Sequence, residues 1–571
     1  MLRKEFSLEK DWKIKDLDPK GQVELSEALG VHPIVAQVLI NRGIGVEDLD
    51  FARQFLNSDL TQLHDPFLMK GMKEAVERVK QAQTKKEKVL VFGDYDVDGV
   101  TSSALLNRAL DRLGVDVIHH IPHRMTDGYG LNHSVGEFAK DNGVSLILTI
   151  DCGISAVEEV KGIVALGIDV VIFDHHEPDE GNLPPAYAIV DPKQNDCNYP
   201  FKELASVGLA AKFNQALFGK LEEGILDLVA IGTVADIVPL QGENRIFVKQ
   251  GLPLVQRTKN LGLRALLESA KVVGKTITPY YVGFILGPRI NASGRMDSAL
   301  TALDLFLAKD AAEAKRLAAE LEGLNLDRQK MQKEVIAEAT QIAEESFNEE
   351  TDRVIVLSKE GWHKGVLGIV ASRITEKFYR PSVVISVQEG VGTASCRSVD
   401  GFHLYDTLNS CSEYLEAFGG HEGAAGLTIK EEKIESFRAQ INEVAERTLS
   451  TKRLKPVLTI ESEIALSEIN LALANVMEDL EPFGEANPMP IFCTRNLIVK
   501  GQPQVLGKGT LKFWVTEGKR AISVVGFGMA NLAPKLKHGG QVDLAYQIAI
   551  DSWNKAPTPQ LMLKDLKISK E

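Results

Sequence analysis

The fold is decided by residues 89–99, which read Val-Leu-Val-Phe-Gly-Asp-Tyr-Asp-Val-Asp-Gly. Four apolar residues in a row give way to carboxylates. The same change recurs where residues 146–150 meet Asp151 and where residues 170–173 meet Asp174. An apolar strand that stops at an acid is typical of a parallel sheet, which delivers side chains to a site at its carboxyl edge. The repeat therefore predicts three parallel strands with their acidic ends side by side.

The acids after the first strand have a spacing of two. In an extended chain this spacing turns the side chains of Asp94, Asp96 and Asp98 toward one side, and flanking glycines allow the backbone to bend there. A helix-loop-helix calcium site is excluded, because it needs a glutamate six residues past its glycine and this chain has Leu105 there. Taken alone, the spacing also fits a solvated acidic turn. Beside two further acidic strand ends it predicts bound metal, because crowded carboxylates repel each other unless cations offset their charge.

Two histidines follow the acid of the third strand. A single buried histidine is usually a hydrogen-bonded core residue, but His175 and His176 directly follow Asp174 at a strand end. Carboxylate and imidazole together suit Mn²⁺, whereas an all-oxygen set suits Mg²⁺ or Ca²⁺.

An apolar helical stretch, residues 226–236, carries two acids. A charged side chain in such a helix lowers stability by several kcal/mol, on the order of the cost of moving an unpaired polar group out of water. The cost is avoided only if the charge is paired or binds a metal. We expect Asp236 to face the metal site, whereas the role of Asp227 is left open.

The bulk properties indicate a globular chain of ordinary composition. The 571 residues are 44% hydrophobic and 25% charged. The N-terminus lacks a secretory apolar region, and no apolar run reaches the roughly 18 residues that span a bilayer. The five cysteines are odd in number and form no C-x-x-C pair, so we expect a cytoplasmic protein with no membrane partner.

The charge is distributed unevenly along the chain. The net charge of −14 argues weakly against a nucleic-acid partner. Residues 501–571, however, hold ten Lys or Arg against five acids. A basic end on an acidic body is compatible with binding to a phosphate backbone.

The order of strands and helices predicts the domain organisation. Strands and helices alternate from about residue 85 to 190, preceded by an amphipathic helix over 66–83 and followed by a mostly helical region over 203–310. A second unit has strands at 354–357 and 383–387, with helices near 365–377 and 405–416. We predict an irregular N-terminal segment (1–65), a doubly wound α/β domain with a parallel sheet (66–310), a connecting helix (311–348), a smaller α/β domain (349–454) and a C-terminal OB-like β-barrel (455–571).

Together these residues resemble the DHH phosphoesterase superfamily, and within it the RecJ family of single-strand-specific exonucleases. The resemblance covers nearly the whole chain. The acidic motifs alone indicate the superfamily. Residues 288–295, Pro-Arg-Ile-Asn-Ala-Ser-Gly-Arg, and residues 419–421, Gly-Gly-His, make the resemblance specific to RecJ. It implies a DHH domain, a DHHA1 domain and an OB domain, in the order of the three predicted globular units.

The resemblance also implies a reaction and its metal ligands. The reaction is metal-dependent 5′→3′ exonucleolytic degradation of single-stranded DNA to mononucleotides, in recombination and repair, beside a helicase and a single-strand-binding protein. Two divalent ions, Mn²⁺ or Mg²⁺, are expected, with Asp151 bridging them. Their ligands would be Asp96, Asp98, Asp151, His175 and Asp236. Asp94, Asp174 and His176 would complete the catalytic set by supporting these ligands or contacting the scissile phosphate.

Groups suited to the DNA backbone lie farther along the chain. The small residues of 423–426 let backbone amides approach an anion, and Arg397 can fork onto two phosphate oxygens. The family usually has glycine where this chain has Cys396, which leaves the backbone geometry beside Arg397 open. The Gly-Gly-His stretch also fits a plain turn, and in the barrel one of Phe513 and Trp514 should point inward. The predicted DNA and phosphate contacts are Arg289, Asn291, Arg295, Arg373, Ser395, Arg397, Gly420, His421 and Trp514.

Two other functions remain open at this point. One is a phosphodiesterase of the same superfamily that acts on short oligonucleotides or cyclic dinucleotides. The long additions at both ends of the chain argue against it. The other is a non-catalytic replication scaffold with this fold, which should have lost metal ligands, whereas all five are present here.

Overall fold

The structure is a computed structural model that describes residues 9–123, 130–349, 351–449, 454–507, 509–551 and 556–568. It confirms the predicted fold class. A doubly wound parallel sheet is followed by a long helix, a smaller α/β unit and a closed β-barrel.

The N-terminal segment is helical, so the prediction of an irregular stretch is wrong. Its short helices bury apolar side chains, among them Leu25, Val35, Leu39 and Phe55, in the same core as the barrel. Short helices of this kind are marginal in isolation and are stabilised mainly by tertiary packing. The segment contains β1 (Asp11–Ile14), α1 (Pro19–Leu29), α2 (Pro33–Ile40) and α3 (Leu49–Asn57).

The first domain is built on a five-stranded, all-parallel sheet. The order is β3-β2-β4-β5-β6, so the direction of winding reverses between β2 and β4. Ligands of open α/β sheets bind at the carboxyl ends of the strands beside this reversal. The strands are β2 (Lys88–Gly93), β3 (Asp116–His120), β4 (Val144–Ile150), β5 (Asp169–Phe173) and β6 (Ala188–Val190).

Helices cover both faces of this sheet. The larger core includes α4, α5, α8 and α9, and the smaller core on the other face includes α6 and α7. One predicted boundary is wrong. A 3₁₀ turn at Pro66–Leu68 comes first. The helix begins only at Met72, because Gly71 has a φ of 78°, outside the helical region. A Cβ at Gly71 would lie 2.2 Å from the Ile189 carbonyl oxygen, so only glycine fits there. The helices are α4 (Met72–Lys85), α5 (Val97–Leu113), α6 (His133–Asp141), α7 (Val157–Ala165), α8 (Ser206–Phe218) and α9 (Leu226–Ala235).

The region before the second unit is helical, as predicted. Residues 282–286 form a π-helical turn between two of these helices. The connecting helix α15 is 36 residues long and is capped by Asp310, whose side chain accepts hydrogen bonds from two backbone amides. The helices are α10 (Gly242–Val255), α11 (Leu261–Ser269), α12 (Pro279–Tyr281), α13 (Gly287–Met296), α14 (Leu300–Leu307) and α15 (Ala311–Ser346).

The second unit is a mixed five-stranded sheet in the order β10-β11-β9-β8-β7. The predicted helix over 405–416 is wrong in its second half, since the helix ends at Asn409 and the chain pairs with β11 as a strand from Leu415. The elements are β7 (Ile355–Glu360), α16 (Leu367–Phe378), β8 (Ser382–Gln388), β9 (Val391–Arg397), α17 (Leu404–Asn409), β10 (Leu415–Gly420), β11 (Ala424–Lys430) and α18 (Ile434–Thr448).

The C-terminal unit is a five-stranded barrel that closes where β14 pairs with β17. Strand β12 pairs in parallel with β1, which ties the N-terminal segment to this end of the chain. The elements are β12 (Val457–Ile460), β13 (Ser462–Glu463), α19 (Leu471–Val476), β14 (Phe492–Leu506), β15 (Thr510–Glu517), β16 (Arg520–Gly526), β17 (Gln541–Asp551) and β18 (Thr558–Ile568).

Among the described residues, no single helix has the length and apolar character needed to cross a membrane. Helices α1 and α2 pass that test only as a pair, with a bend of 114° between them. Six residues of α2 are buried within the protein.

Candidate metal centre

Acidic residues lie at the carboxyl ends of four neighbouring strands. Asp94, Asp151 and Asp174 follow β2, β4 and β5, as the sequence predicted. Asp191 follows β6 in the same way and is fully buried. Asp191 was not among the residues predicted from the sequence, although the same change from an aliphatic run to an acid precedes it.

The ligand atoms of the predicted metal site converge. Three groups of side chains each bring one ligand atom apiece within 4.8 Å of one another. Asp151 and His175 each belong to two of these groups, and His175 Nε2 lies 3.3 Å from Asp151 Oδ1 and 3.7 Å from Asp236 Oδ2. The groups are Asp94 with Asp96 and Asp151, Asp98 with His175 and Asp236, and Asp151 with His175 and His176.

The backbone holds the first acidic turn in a fixed shape. The Asp96 carboxylate caps α5 by accepting a hydrogen bond of 3.0 Å from the Gly99 amide. A Cβ at Gly99 would lie 2.5 Å from the Asp94 carbonyl oxygen, so a larger residue does not fit there. Asp151 has a φ of 66°, in the left-handed region that non-glycine residues seldom adopt. Strained backbone of this kind is common at functional sites.

The N-terminus of α8 orients two of the acids. The amides of Ser206 and Val207 donate to the two oxygens of Asp98, at 2.7 and 2.9 Å. The Ser206 hydroxyl donates to Asp151 Oδ1 at 2.9 Å. Helix N-termini favour anions, so these contacts favour the ionised form of both carboxylates. Ser206 was not predicted from the sequence, because its only sequence signal is its place at the start of a helix.

Asp174 supports the histidine turn and takes no part in the three groups. Its carboxylate accepts hydrogen bonds from the amides of Ile154 and His175, at 2.9 and 2.8 Å, and lies 2.7 Å from His176 Nδ1. Burial acts to raise the pKa of Asp174, but the hydrogen bond with His176 and the other contacts outweigh it and the pKa is lowered. Burial acts to lower the pKa of His176, but the bond with Asp174 and nearby acids outweigh it and the pKa is raised.

The remaining acids repel one another. Burial, followed by neighbouring acids, raises the pKa of Asp98 to about 7 and that of Asp236 to about 9. The pKa of Asp151 is raised for the same reasons. Burial, with the adjacent His176, lowers the pKa of His175 to about 4, so this imidazole is neutral and able to ligate a metal.

The donor set fits divalent cations. Among the described residues, Asp236 Oδ2 is buried without a hydrogen-bond partner. Oxygens of this kind beside a neutral imidazole suit Mn²⁺, and the carboxylate-rich side of the cluster also suits Mg²⁺. A bound cation would offset the repulsion that raises these pKa values.

Asp227, the other acid of the α9 region, has a different environment from Asp236. Asp227 accepts hydrogen bonds from the Thr258 hydroxyl, at 2.5 Å, and from the Leu228 amide, at 2.7 Å. Asp227 therefore anchors its helix to the segment before α11, while Asp236, at the other end of α9, lies beside His175.

A cation borders the cluster. The Lys193 ammonium lies 3.0 Å from a Glu177 oxygen and 3.8 Å from a Glu203 oxygen. It joins the turn after His176 to the segment before α8. This lysine was not predicted from the sequence, because it belongs to none of the motifs named above.

Several predicted phosphate contacts meet at the start of α16. A Cβ at Gly368 would lie 3.0 Å from Arg397 Nη2 and 3.6 Å from Ser395 Oγ, so both side chains of β9 reach this helix end. Arg295 Nη1 donates to the Gly365 carbonyl at 3.2 Å, which places α13 beside the same turn. A helix N-terminus with two arginines nearby suits a phosphate.

The Gly-Gly-His stretch forms a tight strand turn. Gly420 has a φ of 141°, and a Cβ there would lie 2.4 Å from the Ala424 carbonyl oxygen. The His421 amide donates to that oxygen at 2.8 Å. Gly419 pairs with Gly426 across the two strands, and both are exposed, so backbone is open to a ligand here.

The other predicted DNA contacts lie apart from this cluster. Arg289 forms a two-pronged ion pair with Glu322 on α15, at 2.6 and 3.2 Å. Arg373 is exposed and pairs with Glu376 on its own helix at 2.6 Å. Asn291 lines a groove between α13 and the barrel unit. These three residues stay predictions as DNA contacts.

The barrel places its adjacent aromatic residues on opposite faces. Phe513 is 2% exposed and lies in the core, whereas Trp514 is 47% exposed on the outer face beside Lys500 of the neighbouring strand. Trp514 stays a predicted contact for unpaired bases. Trp553 and Lys555, a further aromatic and basic pair near the C-terminus, lie outside the described residues.

Three family models match the chain. The DHH family N-terminal domain matches residues 88–233, the DHHA1 domain matches residues 351–447 and the RecJ OB domain matches residues 460–565.

The chain is also similar to named relatives over almost its whole length. It is 40% identical to the single-stranded-DNA-specific exonuclease RecJ of Bacillus subtilis over 98% of this chain and 71% of that protein. Two crystal structures of RecJ from Thermus thermophilus, in complex with Mn²⁺ and with Mg²⁺, match 98% of this chain and 80% and 79% of those chains. Their TM-scores are 0.82 and 0.77, at 31% and 29% identity. The chain therefore belongs to the RecJ family.

Proposed function

We propose that this chain is a metal-dependent exonuclease specific for single-stranded DNA. The observation that carries the proposal is the convergence of acids from separate strand ends, with His175, on one half-buried point. The family relationship supplies the substrate, since the relatives are named for this activity.

The proposed metal ligands are the five predicted residues, Asp96, Asp98, Asp151, His175 and Asp236. A bound pair of divalent ions would activate a water molecule and stabilise the leaving oxygen of an in-line displacement. The protein's own groups prepare this centre. Hydrogen bonds from Ser206 and the α8 amides fix the orientation of the Asp98 and Asp151 carboxylates. Asp174 holds the His175–His176 turn through its own hydrogen bonds. Asp94 has a carboxylate oxygen within reach of Asp96 and Asp151, and supports that side of the cluster.

The cluster at the start of α16 is proposed to hold the DNA backbone. Arg397, Ser395 and Arg295 would bind a phosphate there, while the open backbone of the Gly420–His421 turn would accept a second one. We further propose that this cluster receives the 5′ end of the strand, which gives 5′→3′ polarity and mononucleotide products. The roles in recombination and repair belong to the same proposal.

The activity is tested with end-labelled single-stranded and double-stranded DNA, each end blocked in turn, with and without Mn²⁺. We expect mononucleotides from single strands with a free 5′ end, only when metal is present. Asp151→Asn should remove cleavage and retain DNA binding, because affinity comes mainly from backbone contacts. Cleavage that persists with both ends blocked would identify an endonuclease and contradict the proposal.

The phosphate cluster is tested by the salt dependence of binding. Arg397→Ala should weaken DNA binding and lower the slope of log affinity against log salt by about one. Arg447→Ala is the matched control, because that arginine is exposed and paired with Glu443 on its own helix. An unchanged slope in Arg397→Ala would argue against a phosphate contact.

The two alternative functions have distinct outcomes in these experiments. A phosphodiesterase of short oligonucleotides or cyclic dinucleotides would cleave such substrates and stall on long strands. A non-catalytic scaffold would bind no Mn²⁺ or Mg²⁺. The five ligands and the barrel unit favour the exonuclease.

The proposed setting is the cytoplasm, with a helicase and a single-strand-binding protein as partners that open and present the strand. All five cysteines are free and buried, which a reducing compartment permits. Co-purification of the tagged chain with these two partners, with and without nuclease treatment, tests for direct contacts.

A further inference from the structure

A groove of about 750 Å³ lies between the metal centre and the barrel unit. One wall is formed by the end of α9, the turn after it and residues 278–291. The other wall is formed by residues 481–489 and Gln547. Its volume is within the range of about 300–1,000 Å³ that is usual for ligand sites. Neither the metal cluster nor the phosphate cluster accounts for this groove.

Three large apolar side chains stand exposed in the groove. Ile237, Tyr280 and Phe284 are 68%, 60% and 67% exposed. The rings of Tyr280 and Phe284 stack with their centroids 5.1 Å apart and their planes at 29°. Large apolar groups that gather on a surface mark a binding site, because leaving them in water is unfavourable.

The groove begins at the metal centre itself. Ile237 directly follows Asp236 and has a φ of 62°, a conformation that β-branched residues rarely adopt. On the helix that follows the aromatic pair, a Cβ at Gly287 would lie 3.8 Å from Val97, within the acidic turn, and 3.9 Å from Ala235. The wall that carries the aromatic pair is therefore packed directly against the residues that position the metal ligands.

We propose that this groove is a base-stacking subsite for unpaired nucleobases of the strand beyond the nucleotide being removed. The inference rests on the proposed exonuclease function and adds a place where the bases are held. Aromatic faces bind every base through stacking without reading its sequence. Duplex DNA has its bases stacked inside and cannot present them to Tyr280 and Phe284, so the subsite selects single strands.

The chemistry of the lining favours bases over phosphates. Glu481 and Glu485 contribute carboxylates to the barrel-side wall, which repel a phosphate backbone. Asn291 and Gln547 offer amides, which can donate to or accept from base edges. The strand would therefore enter with its bases toward the rings and its phosphates toward solvent. An apolar peptide would also fit the aromatic faces, but continuity with the cleavage site favours the strand.

The first test measures binding without cleavage. Single-stranded oligonucleotides carry 2-aminopurine at successive positions from the 5′ end, and EDTA prevents turnover. In the wild-type protein we expect fluorescence quenching at a short run of adjacent positions, lost in Phe284→Ala and retained in Phe284→Trp. Phe67→Ala is the matched control, since that ring is 49% exposed outside the groove. Equal quenching in the wild type and Phe284→Ala would overturn the inference.

The second test separates the subsite from the cleavage chemistry. Tyr280→Ala with Phe284→Ala should raise KM for long single strands roughly tenfold or more. It should leave hydrolysis of a 5′-phosphorylated thymidine 3′-(methyl phosphate) diester unchanged, because that substrate has no base beyond the scissile phosphate. Abasic sites in the DNA should raise KM in the wild type and have no further effect in the double variant. If both substrates are inert in the wild type, the exonuclease proposal itself fails. If both are cleaved and the double variant and abasic sites change nothing, only the stacking subsite is wrong.

Discussion

Asp227 lies in the first turn of α9 and Asp236 caps the end of that helix, and the two carboxylates have different surroundings. Asp227 is satisfied by Thr258 and a backbone amide, whereas Asp236 has a buried oxygen beside His175. Asp236→Asn should lower Mn²⁺ affinity at least tenfold and reduce exonuclease turnover by about 10²-fold or more, on the order expected for a lost metal ligand.

Asp227→Asn is the matched control for that change. It weakens one buried hydrogen bond and should cost roughly 1 kcal/mol of unfolding free energy, with Mn²⁺ affinity unchanged. Isothermal titration with Mn²⁺ and thermal unfolding of both variants provide the comparison. Equal Mn²⁺ affinities in the two variants would contradict the placement of Asp236 at the metal.

The raised pKa values of Asp98 and Asp236 predict how pH affects the metal-free protein. Because the folded pKa values are about 7 and 9, above the ordinary 3.8, the folded state binds more protons than the unfolded chain between those limits. These groups therefore make stability fall as the pH rises from about 4 to about 9. Mn²⁺ binds the deprotonated carboxylates and should remove this loss.

The measurement is the thermal midpoint from about pH 5 to about pH 9, with EDTA or with excess Mn²⁺. We expect the two curves to diverge as the pH rises, with the Mn²⁺ curve higher. Asp236→Asn should flatten the EDTA curve. Parallel curves would mean that the cluster does not hold the ion.

At the scale of elements, the acidic turn depends on a glycine that no side chain can replace. Gly99→Ala would drive a Cβ into the Asp94 backbone and should cost about 1–3 kcal/mol of stability and weaken Mn²⁺ binding. Gly323→Ala is the control. Position 323 lies in the middle of α15 with open space around it, so alanine there should stabilise by roughly 0.5–1 kcal/mol. Chemical denaturation measures both, and normal Mn²⁺ binding by Gly99→Ala would argue against a rigid turn.

The strand ends could be predicted from the sequence because the information there is local. An aliphatic run followed by an acid fixes both the strand and the position of its carboxylate, and this holds for Asp94, Asp151 and Asp174. Ser206 could not be predicted in this way, since its role depends on where α8 begins relative to a distant strand. The helix expected over 405–416 ends at Asn409, and pairing with β11 overrides the local preference only from Leu415 onward.

At the scale of the molecule, one buried arginine joins three parts of the chain. Arg245 on α10 donates to the carbonyl of Phe55 in the N-terminal segment and to the carbonyls of Leu480, Glu481 and Pro482 before the barrel. Its guanidinium carbon lies 3.9 Å from the centre of the Phe55 ring. Burial lowers its pKa to about 9, which still leaves it charged at neutral pH.

Arg245→Met should therefore loosen the barrel unit from the first domain. The unpaired buried carbonyls should cost about 3 kcal/mol or more. KM for long single strands should rise, while hydrolysis of a small phosphodiester continues. Arg53→Met is the control, because Arg53 is exposed and pairs only with Asp50 among the described contacts. An unchanged melting temperature in Arg245→Met would contradict this role.

The overall architecture was accessible from the sequence, but the contacts between its parts were not. Periodicity identified the parallel sheet, the connecting helix and the barrel. It did not reveal that α1–α3 share a core with the barrel, or that Arg289 is engaged by Glu322, because both depend on distant segments meeting. The division into segments 1–65, 66–310, 311–348, 349–454 and 455–571 stays a prediction.

The most direct test of the central claim is the anomalous difference map of a crystal grown with Mn²⁺. Asp96, Asp98, Asp151, His175 and Asp236 should surround two peaks, with Asp151 contacting both. A map that shows no peak among these residues, for a protein that also fails to cleave single-stranded DNA when Mn²⁺ is added in solution, would contradict the account.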